Sequence, residues 1–599
     1  MDGMRTDDTA IRAEAWVTAF GAAAGSGDAG AMARLLAPEC HWRDVLALDW
    51  QIRTISGHDA IEAFLAERLL AAGLRGVRLA EGRTTPRRVE RAGVPVVEAL
   101  LAFETRAGVG DAVARLIEGE AGSGAGGLLG WTVLTTLEAL HAPADPAGPD
   151  FARSFGGENW LDRRRRSTEY RDRDPEVVVI GAGQAGLSIA ARLGALGIDT
   201  LVIDRHARVG DNWRKRYHAL TLHNEVHVNH LPLMPFPPNW PTFIPKDKLA
   251  HWFEAYAESM ELNVWTETTL EGGSHDGTDW TLALRRQGES RVMRPKHVVF
   301  ATGVSGIPVM PNLPGLDTFA GTVMHSGAYT EGSAWRGKHA LVIGTGNSAH
   351  DVAQDLHASG AAVTMVQRSP TYVVSLREAQ RVYAIYGEGP PIEDCDLLAL
   401  ATPYPALVRA YQLSTALSKA ADRALLEGLA ARGFRLTFGE DETGFQMMYL
   451  RRGGGYYFNV GCSDLIVSGE IDLLHFGDIE WFVPEGARLA DGRLVEADLV
   501  VLATGYESQQ AVVRAALGDG IADRVGPVWG VDAGGELRNM WRRTAQPGLW
   551  FTAGSLAQCR IWSRYLALQI QADLIAWRDG PAKIHRASRP PPARAPYRR

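Results

Sequence analysis

Val177-Val-Val-Ile-Gly-Ala-Gly-Gln-Ala-Gly186 is the stretch whose reading decides the fold of this chain. Four β-branched residues, Val177 to Ile180, favour a buried strand, and the glycines then turn the chain into an alanine-rich helix starting near Leu187. Gly181 permits the tight turn, Gly183 lets backbone approach a pyrophosphate, and Gly186 lets helix and strand pack closely. Gln184 lies in the same turn, where the unpaired N–H groups of a helix N-terminus attract phosphate. The next predicted strand, Thr200-Leu-Val-Ile-Asp204, ends in a carboxylate placed to hydrogen-bond a ribose hydroxyl.

The pattern returns at His339-Ala-Leu-Val-Ile-Gly344-Thr-Gly346-Asn347-Ser348-Ala349, with Ala349 in place of the third glycine. Gly181 to Asp204 is 23 positions, and Gly344 to Gln367 is also 23. The ribose-reading position is therefore anionic in the first copy; in the second it is a neutral Gln367 followed by Arg368. A carboxylate repels a 2′-phosphate, whereas guanidinium pairs with it. The first site reads as FAD and the second as NADPH, which implies hydride transfer from nicotinamide to flavin. Two apolar strands ending in Ala-Thr-Gly, at 301–303 and 503–505, support this frame, because small residues let the chain cross between domains beside a cofactor. Thr504 and Gly505 thereby join the cofactor-binding set. The expected fold is α/β, with two Rossmann-type dinucleotide-binding domains preceded by an α+β domain.

Composition narrows the rest. The chain has 599 residues, 46% apolar and 22% charged, with a net charge of −8 that argues against a general nucleic-acid binder. Its four cysteines are far apart and form no CxxC pair, which speaks against a disulfide framework, a zinc site or a dithiol redox centre. No run of about 18 apolar residues predicts a membrane span, and Met1-Asp-Gly-Met-Arg-Thr-Asp-Asp lacks a signal pattern. A reduced, cytoplasmic enzyme is the expectation.

Residues 1–150 read as the separate α+β domain. A helical stripe runs through Ile11, Ala15, Trp16, Ala19 and Phe20, and a second through Met32, Leu35 and Leu36. A third helix, capped by Ser56 or Asp59, precedes strand-like runs at 94–105, 112–119 and 131–140. This order, with Trp42-Arg43-Asp44 after the second helix, resembles the SnoaL-like cone fold. That resemblance makes His41, Asp44 and His58 candidates for a pocket base, although docking or dimerisation, as a homodimer through this domain, is the favoured role. Residues 151–175, with Arg163 to Arg166, read as a charged linker, and 586–599 as a disordered Arg- and Pro-rich tail. The FAD domain is expected at 176–330 and 496–585, and the NADPH domain with a helical insertion at 331–495.

Between the glycine motifs stands Phe319-Ala-Gly321-Thr-Val-Met-His325-Ser-Gly-Ala-Tyr329, followed later by Ala503-Thr-Gly-Tyr506. With Val209-Gly-Asp-Asn212-Trp213 and Pro547-Gly-Leu-Trp-Phe-Thr-Ala-Gly554, these residues resemble the flavin-containing monooxygenases of class B, nearest the YUCCA-like branch. The resemblance implies an FAD- and NADPH-dependent monooxygenase that passes one atom of O2 to a small organic substrate through a flavin C4a-hydroperoxide. It assigns Asn212, Trp213 and Gly554 to the flavin, Asn224 to the flavin edge, and His325 to the hinge between nucleotide domains. Oxidative decarboxylation of an indole-3-pyruvate-like 2-oxo acid or N/S-oxygenation follows from it. Baeyer–Villiger oxidation of a ketone is the alternative, as is an NADPH-dependent flavin reductase or oxidase. Two departures stand out: Tyr329-Thr330, where Baeyer–Villiger enzymes usually carry Trp, and Ala349-His350, where Gly plus an apolar residue is usual.

Overall fold

The computed structural model describes residues 2–120, 124–141 and 155–579. Both glycine turns lie at the centre of five-stranded parallel sheets. The first sheet runs Asn263–Trp265, Thr200–Ile203, Val177–Ile180, His297–Phe300, Leu549–Phe551. The second runs Thr322–His325, Leu499–Leu502, His339–Ile343, Ala362–Gln367, Asp472–His475. Central strands of parallel sheets are covered on both faces, which is why they read as continuous apolar runs and not as alternation. Val177, Val178, Val179, Leu341 and Val342 are all buried. The second sheet takes strands from both sides of 331–495: Thr322–His325 comes before that span and Leu499–Leu502 after it.

The helix after the first turn starts at Gln184, with Gly183 as its N-cap, three residues before the Leu187 expected from sequence. Helix Leu556–Asp579 packs against it and closes one face of the first sheet. Helices Ile392–Leu400, Tyr404–Ala421, Arg423–Ala431 and Gly444–Arg452 are inserted between strands of the second sheet. Gly444 onward opens a helix, and the strand that follows is confined to Tyr456–Asn459.

The N-terminal region is α+β. Helices Asp2–Ser26, Ala29–Ala33 and His58–Ala72 accompany a seven-stranded sheet formed by strands between Leu36 and Leu140. The second helix stops at Ala33, because Leu36–Val45 is already a strand; the third is capped by Gly57 with no side-chain bond, so neither Ser56 nor Asp59 serves. Trp16, Phe20, Trp42, Ile61 and Leu65 form the core under the helices. Val45, Ile52, Leu100, Val113 and Leu134, on the opposite face, join the same core as Val177–Val179 and the last helix.

Charge pairs stitch this junction. Arg43 gives two bonds to Glu536 (2.9 and 2.6 Å), and Thr54 a third. Arg83 and Thr84 bond Asp394, while Arg564 and Tyr565 bond Glu138. The N-terminal region is thus packed against the chain's own core. Within the expected linker, Trp160–Glu169 is a helix with an Asn159/Asp162 capping box, so 155–175 is partly ordered. Arg163 to Arg166 lie in it, and Arg164 bonds Asn263 and the Leu262 carbonyl. The tail 586–599 lies outside the described residues.

Candidate active site

A cavity of about 1310 Å³ opens beyond the carboxyl ends of the first sheet's strands, where open parallel sheets bind ligands. Gly181, Gly183, Gln184, Asp204, Asn212, Trp213, Asn224, His325 and Gly554 all line it. Its volume exceeds the roughly 300–1,000 Å³ of a site for one drug-sized ligand.

At its nucleotide end the backbone leaves no room for side chains. Gly181 has φ of 109°, and a Cβ there would stand 2.7 Å from the Ala301 carbonyl oxygen. Trp213 donates its indole N–H to Gln184 (3.2 Å), and Gln184 donates to the Gly554 carbonyl (3.2 Å), so three widely separated segments are fixed together. The buried Oδ1 of Asn212 and Oγ1 of Thr302 have no hydrogen-bond partner. Such orphaned atoms around a glycine cradle fit a dinucleotide that supplies the missing donors.

Asp204 is more occupied than the sequence suggests. Its Oδ2 accepts the Ala182 N–H, and its Oδ1 accepts the His206 N–H and the His206 ring, each at 2.8 Å. Burial alone would raise its pKa, but these bonds hold it below the usual range. A carboxylate has about four acceptor positions, so one remains for a ribose hydroxyl.

The second turn repeats the first: Gly344 has φ of 128°, and a Cβ there would be 2.5 Å from the Ala503 carbonyl oxygen. Gly346 is the N-cap of helix Asn347–Ala358, which includes Ser348. Asn347 accepts the Phe458 N–H at 2.9 Å and so pins the inserted strand. Gln367 does not face a ribose. It is fully buried, and its amide makes reciprocal bonds (2.9 and 2.8 Å) with the backbone of Arg435. Arg368 is exposed beside the turn and forms no ion pair among the described residues. A free guanidinium there fits a 2′-phosphate. The second turn and Arg368 do not line the large cavity; Tyr506, next to Thr504 and Gly505, does. His350 explains one sequence departure. It is buried, stacked on Tyr457 at 3.8 Å and bonded to the Gly346 carbonyl, and burial drops its pKa to about 4.

His325 is bonded at both ring nitrogens: Nε2 to the Gly505 carbonyl (3.0 Å) and Nδ1 from the Gly327 N–H (3.0 Å). These partners assign the proton to Nε2. Burial lowers its pKa, so the ring is held neutral. Thr504 bonds the Val309 carbonyl at 2.6 Å, fixing the same crossing.

Asn224 is buried at the end of strand Thr221–Glu225. Its side-chain amide and that of Gln446 stand beside the hydroxyl of Tyr383, and both Tyr383 and Gln446 line the cavity. Burial raises the Tyr383 pKa despite those amides, so it is a neutral phenol. Tyr449, which bonds Gln558 at 2.8 Å, and Tyr411 add further half-buried phenols. Sequence reading missed Tyr383, Gln446 and Tyr449. Phe445, Met448 and Tyr449, at helical spacing before Gly453, were the available signal for helix Gly444–Arg452.

His41, Asp44 and His58 do not come together in this cavity. His41 bonds Ser56, His58 bonds the Ala33 carbonyl, and fully buried Asp44 accepts from Thr135 (2.5 Å) and Leu48. Burial raises Asp44 to about 7. Among the described residues no helix is long and apolar enough to cross a membrane, and no group of His, Cys, Asp and Glu is arranged to hold a metal ion.

A family model described as pyridine nucleotide-disulphide oxidoreductase matches residues 178–383. The indole-3-pyruvate monooxygenase YUCCA1 of Oryza sativa subsp. japonica is 32% identical over 336 residues, 56% of this chain and 77% of that protein. The probable indole-3-pyruvate monooxygenase YUCCA4 of Arabidopsis thaliana is 31% identical, over 56% and 76%. An NADP+-bound crystal structure of a cyclohexanone monooxygenase mutant from Rhodococcus sp. Phi1 superposes with a TM-score of 0.50 at 18% identity, covering 68% of this chain and 86% of that one. That last likeness is one of fold.

Proposed function

The chain belongs to the YUCCA family of flavin monooxygenases, oxidoreductases dependent on FAD and NADPH, and from that premise we propose that its substrate is an aryl 2-oxo acid of the indole-3-pyruvate kind. The observation that carries this reading is that the flavin-turn residues Gly181, Gly183 and Asn212 and the Asn224–Tyr383–Gln446 cluster line one and the same cavity. Bound FAD supplies the oxygen-transfer chemistry, with NADPH as the source of hydride. The 2-oxo acid, NADPH, a proton and O2 would give the shortened acid, CO2, NADP+ and water. The C–C bond to the carboxylate breaks, and one oxygen atom of O2 enters the product.

The protein's own residues bind, orient and exclude water. Gly181, Gly183, Gly186, Gln184, Asp204, Asn212, Trp213 and Gly554 hold the flavin nucleotide; Gly344, Gly346, Asn347, Ser348 and Arg368 hold the nicotinamide nucleotide. His325, neutral and bonded at both nitrogens, positions the crossing at Thr504 and Gly505 and moves no proton. Asn224, with Tyr383 and Gln446, presents amide and phenol donors to a substrate carbonyl or carboxylate. The four buried free cysteines support a reducing cytoplasmic setting.

Oxygen uptake by the purified holoenzyme tests this reading. Indole-3-pyruvate should accelerate NADPH-dependent uptake and yield CO2 in equal amount. Recovery of all the oxygen as hydrogen peroxide, with every 2-oxo acid tried, would move the protein to the reductase or oxidase class.

A further inference from the structure

The cavity has a wall from outside the nucleotide-binding frame. Glu90, Arg91, Ala92, Arg115 and Trp131 of the N-terminal region line it together with residues of helix Tyr404–Ala421. Ala92 and Gly93 have φ of 51° and 74°, and turn the hairpin between Arg87–Arg91 and Val94–Glu104 so that its tip reaches this place.

The arginines at this end are fully engaged. Arg115, buried, gives Nε to Glu98 (3.0 Å), Nη1 to the Ala401 carbonyl and Thr402 hydroxyl (both 2.9 Å), and Nη2 to the Leu398 carbonyl (2.8 Å). Arg91 bonds Glu98 and Glu388 through all three of its nitrogens. Guanidinium groups with these partners hold the wall to residues 388–402 and leave little to attract an anion. What the wall offers to the cavity is apolar: Trp131 packs with Val96 and Ala406, and Ala92 lies against the same cluster. Leu407 and Ala410 continue that surface.

We propose that the N-terminal region is the end wall of the substrate chamber, where Trp131 limits the size of the apolar ring system admitted and Arg115 with Glu98 positions the wall. This rests on the reading of the cavity as a monooxygenase substrate chamber. It gives the N-terminal region a part in specificity without any proton transfer by His41, Asp44 or His58.

The test uses full-length, FAD-loaded protein and the variants Trp131→Ala, Trp131→Phe and Arg115→Met. Two ratios are read, neither of which depends on the amount of folded enzyme. One is kcat/KM for 2-naphthylpyruvate over that for phenylpyruvate. The other is the peroxide-forming oxidation of NADPH in air without organic substrate, relative to anaerobic flavin reduction by NADPH. In that leak NADPH, a proton and O2 give NADP+ and H2O2. Trp131→Ala should move the first ratio toward the larger acid by about tenfold, the scale of pocket-size discrimination, and Trp131→Phe should recover most of it. Trp131→Ala and Arg115→Met should raise the leak severalfold by admitting water to the chamber. A flavin-loaded Trp131→Ala protein with both ratios within twofold of wild type would overturn the proposal. If wild type turns over no 2-oxo acid, the leak ratio alone decides it. Failure of NADPH to reduce the flavin in wild type would instead sink the monooxygenase reading beneath it.

Discussion

Tyr217 donates its hydroxyl hydrogen to the carboxylate of Asp351, joining a loop beyond strand Thr200–Ile203 to the helix that follows the second glycine turn. Burial raises Asp351 to about 6, while the bond from Tyr217 opposes that rise. A folded-state pKa above the unfolded value of about 4 means that the native protein holds this proton longer. The Asp351 contribution to stability therefore falls as pH rises from about 4 through about 6. Tyr217→Phe removes the donor and makes the charged form costlier. Denaturation at pH 8 should show a loss of about 1–3 kcal/mol, shrinking at pH 5; an equal loss at both would contradict the assignment.

Gly344→Ala places a methyl group against the Ala503 carbonyl oxygen in backbone at φ of 128°. The variant should purify with its flavin, since Gly181 is untouched. Its NADPH affinity should fall by about fivefold or more, the strain being at least about 1 kcal/mol. Titration of flavin reduction against NADPH concentration measures this.

Arg368→Gln leaves the turn intact and removes the charge expected to meet the 2′-phosphate. The preference for NADPH over NADH should drop by roughly 10- to 100-fold, as for one lost charged hydrogen-bonding partner. Parallel kcat/KM values for both nucleotides report it, and KM for NADH should stay near wild type.

Asn224→Ala removes one of the two amides that stand beside the Tyr383 hydroxyl. Flavin reduction by NADPH should continue. Product formed per NADPH should fall at least about tenfold, the scale of a lost active-site donor, with peroxide making up the difference. Product yield equal to wild type would remove Asn224 from the oxygenation step.

Glu536→Gln leaves Arg43 largely buried without its carboxylate, and the remaining bond to the Leu400 carbonyl does not neutralise it. Breaking one side of such a pair costs about 3 kcal/mol. The double variant Glu536→Gln with Arg43→Met should recover part of that loss in chemical denaturation.

The glycine turns were legible because their requirement is local: positive φ and close backbone approach at Gly181 and Gly344 demand glycine whatever the tertiary context. The Ala-Thr-Gly strand ends were legible for a similar reason, since the Ala301 and Ala503 carbonyls sit against those glycines. Gln367 misled, because the register argument locates a position and not the direction in which a buried amide finds partners. Tyr383 and Gln446 reach Asn224 from distant inserted helices, and no periodicity encodes that meeting. Asp204 lines the cavity at the strand end, and its three local donors were unforeseen. The wall formed by Trp131 was hidden for the same reason as Tyr383. Its neighbour Ala406 lies 275 positions further along the chain.

Strand Leu549–Phe551 pairs with His297–Phe300 at the edge of the first sheet, and Leu499–Leu502 lies inside the second. A nascent chain therefore cannot complete either nucleotide-binding sheet until most of its length has left the ribosome. The N-terminal region can form its own sheet early, but the face it presents to helix Leu556–Asp579 must wait until that helix has been made. Capture of both nucleotides is thereby a late event in biosynthesis, and truncation anywhere before Leu549 exposes an unpaired parallel edge of the kind that aggregates.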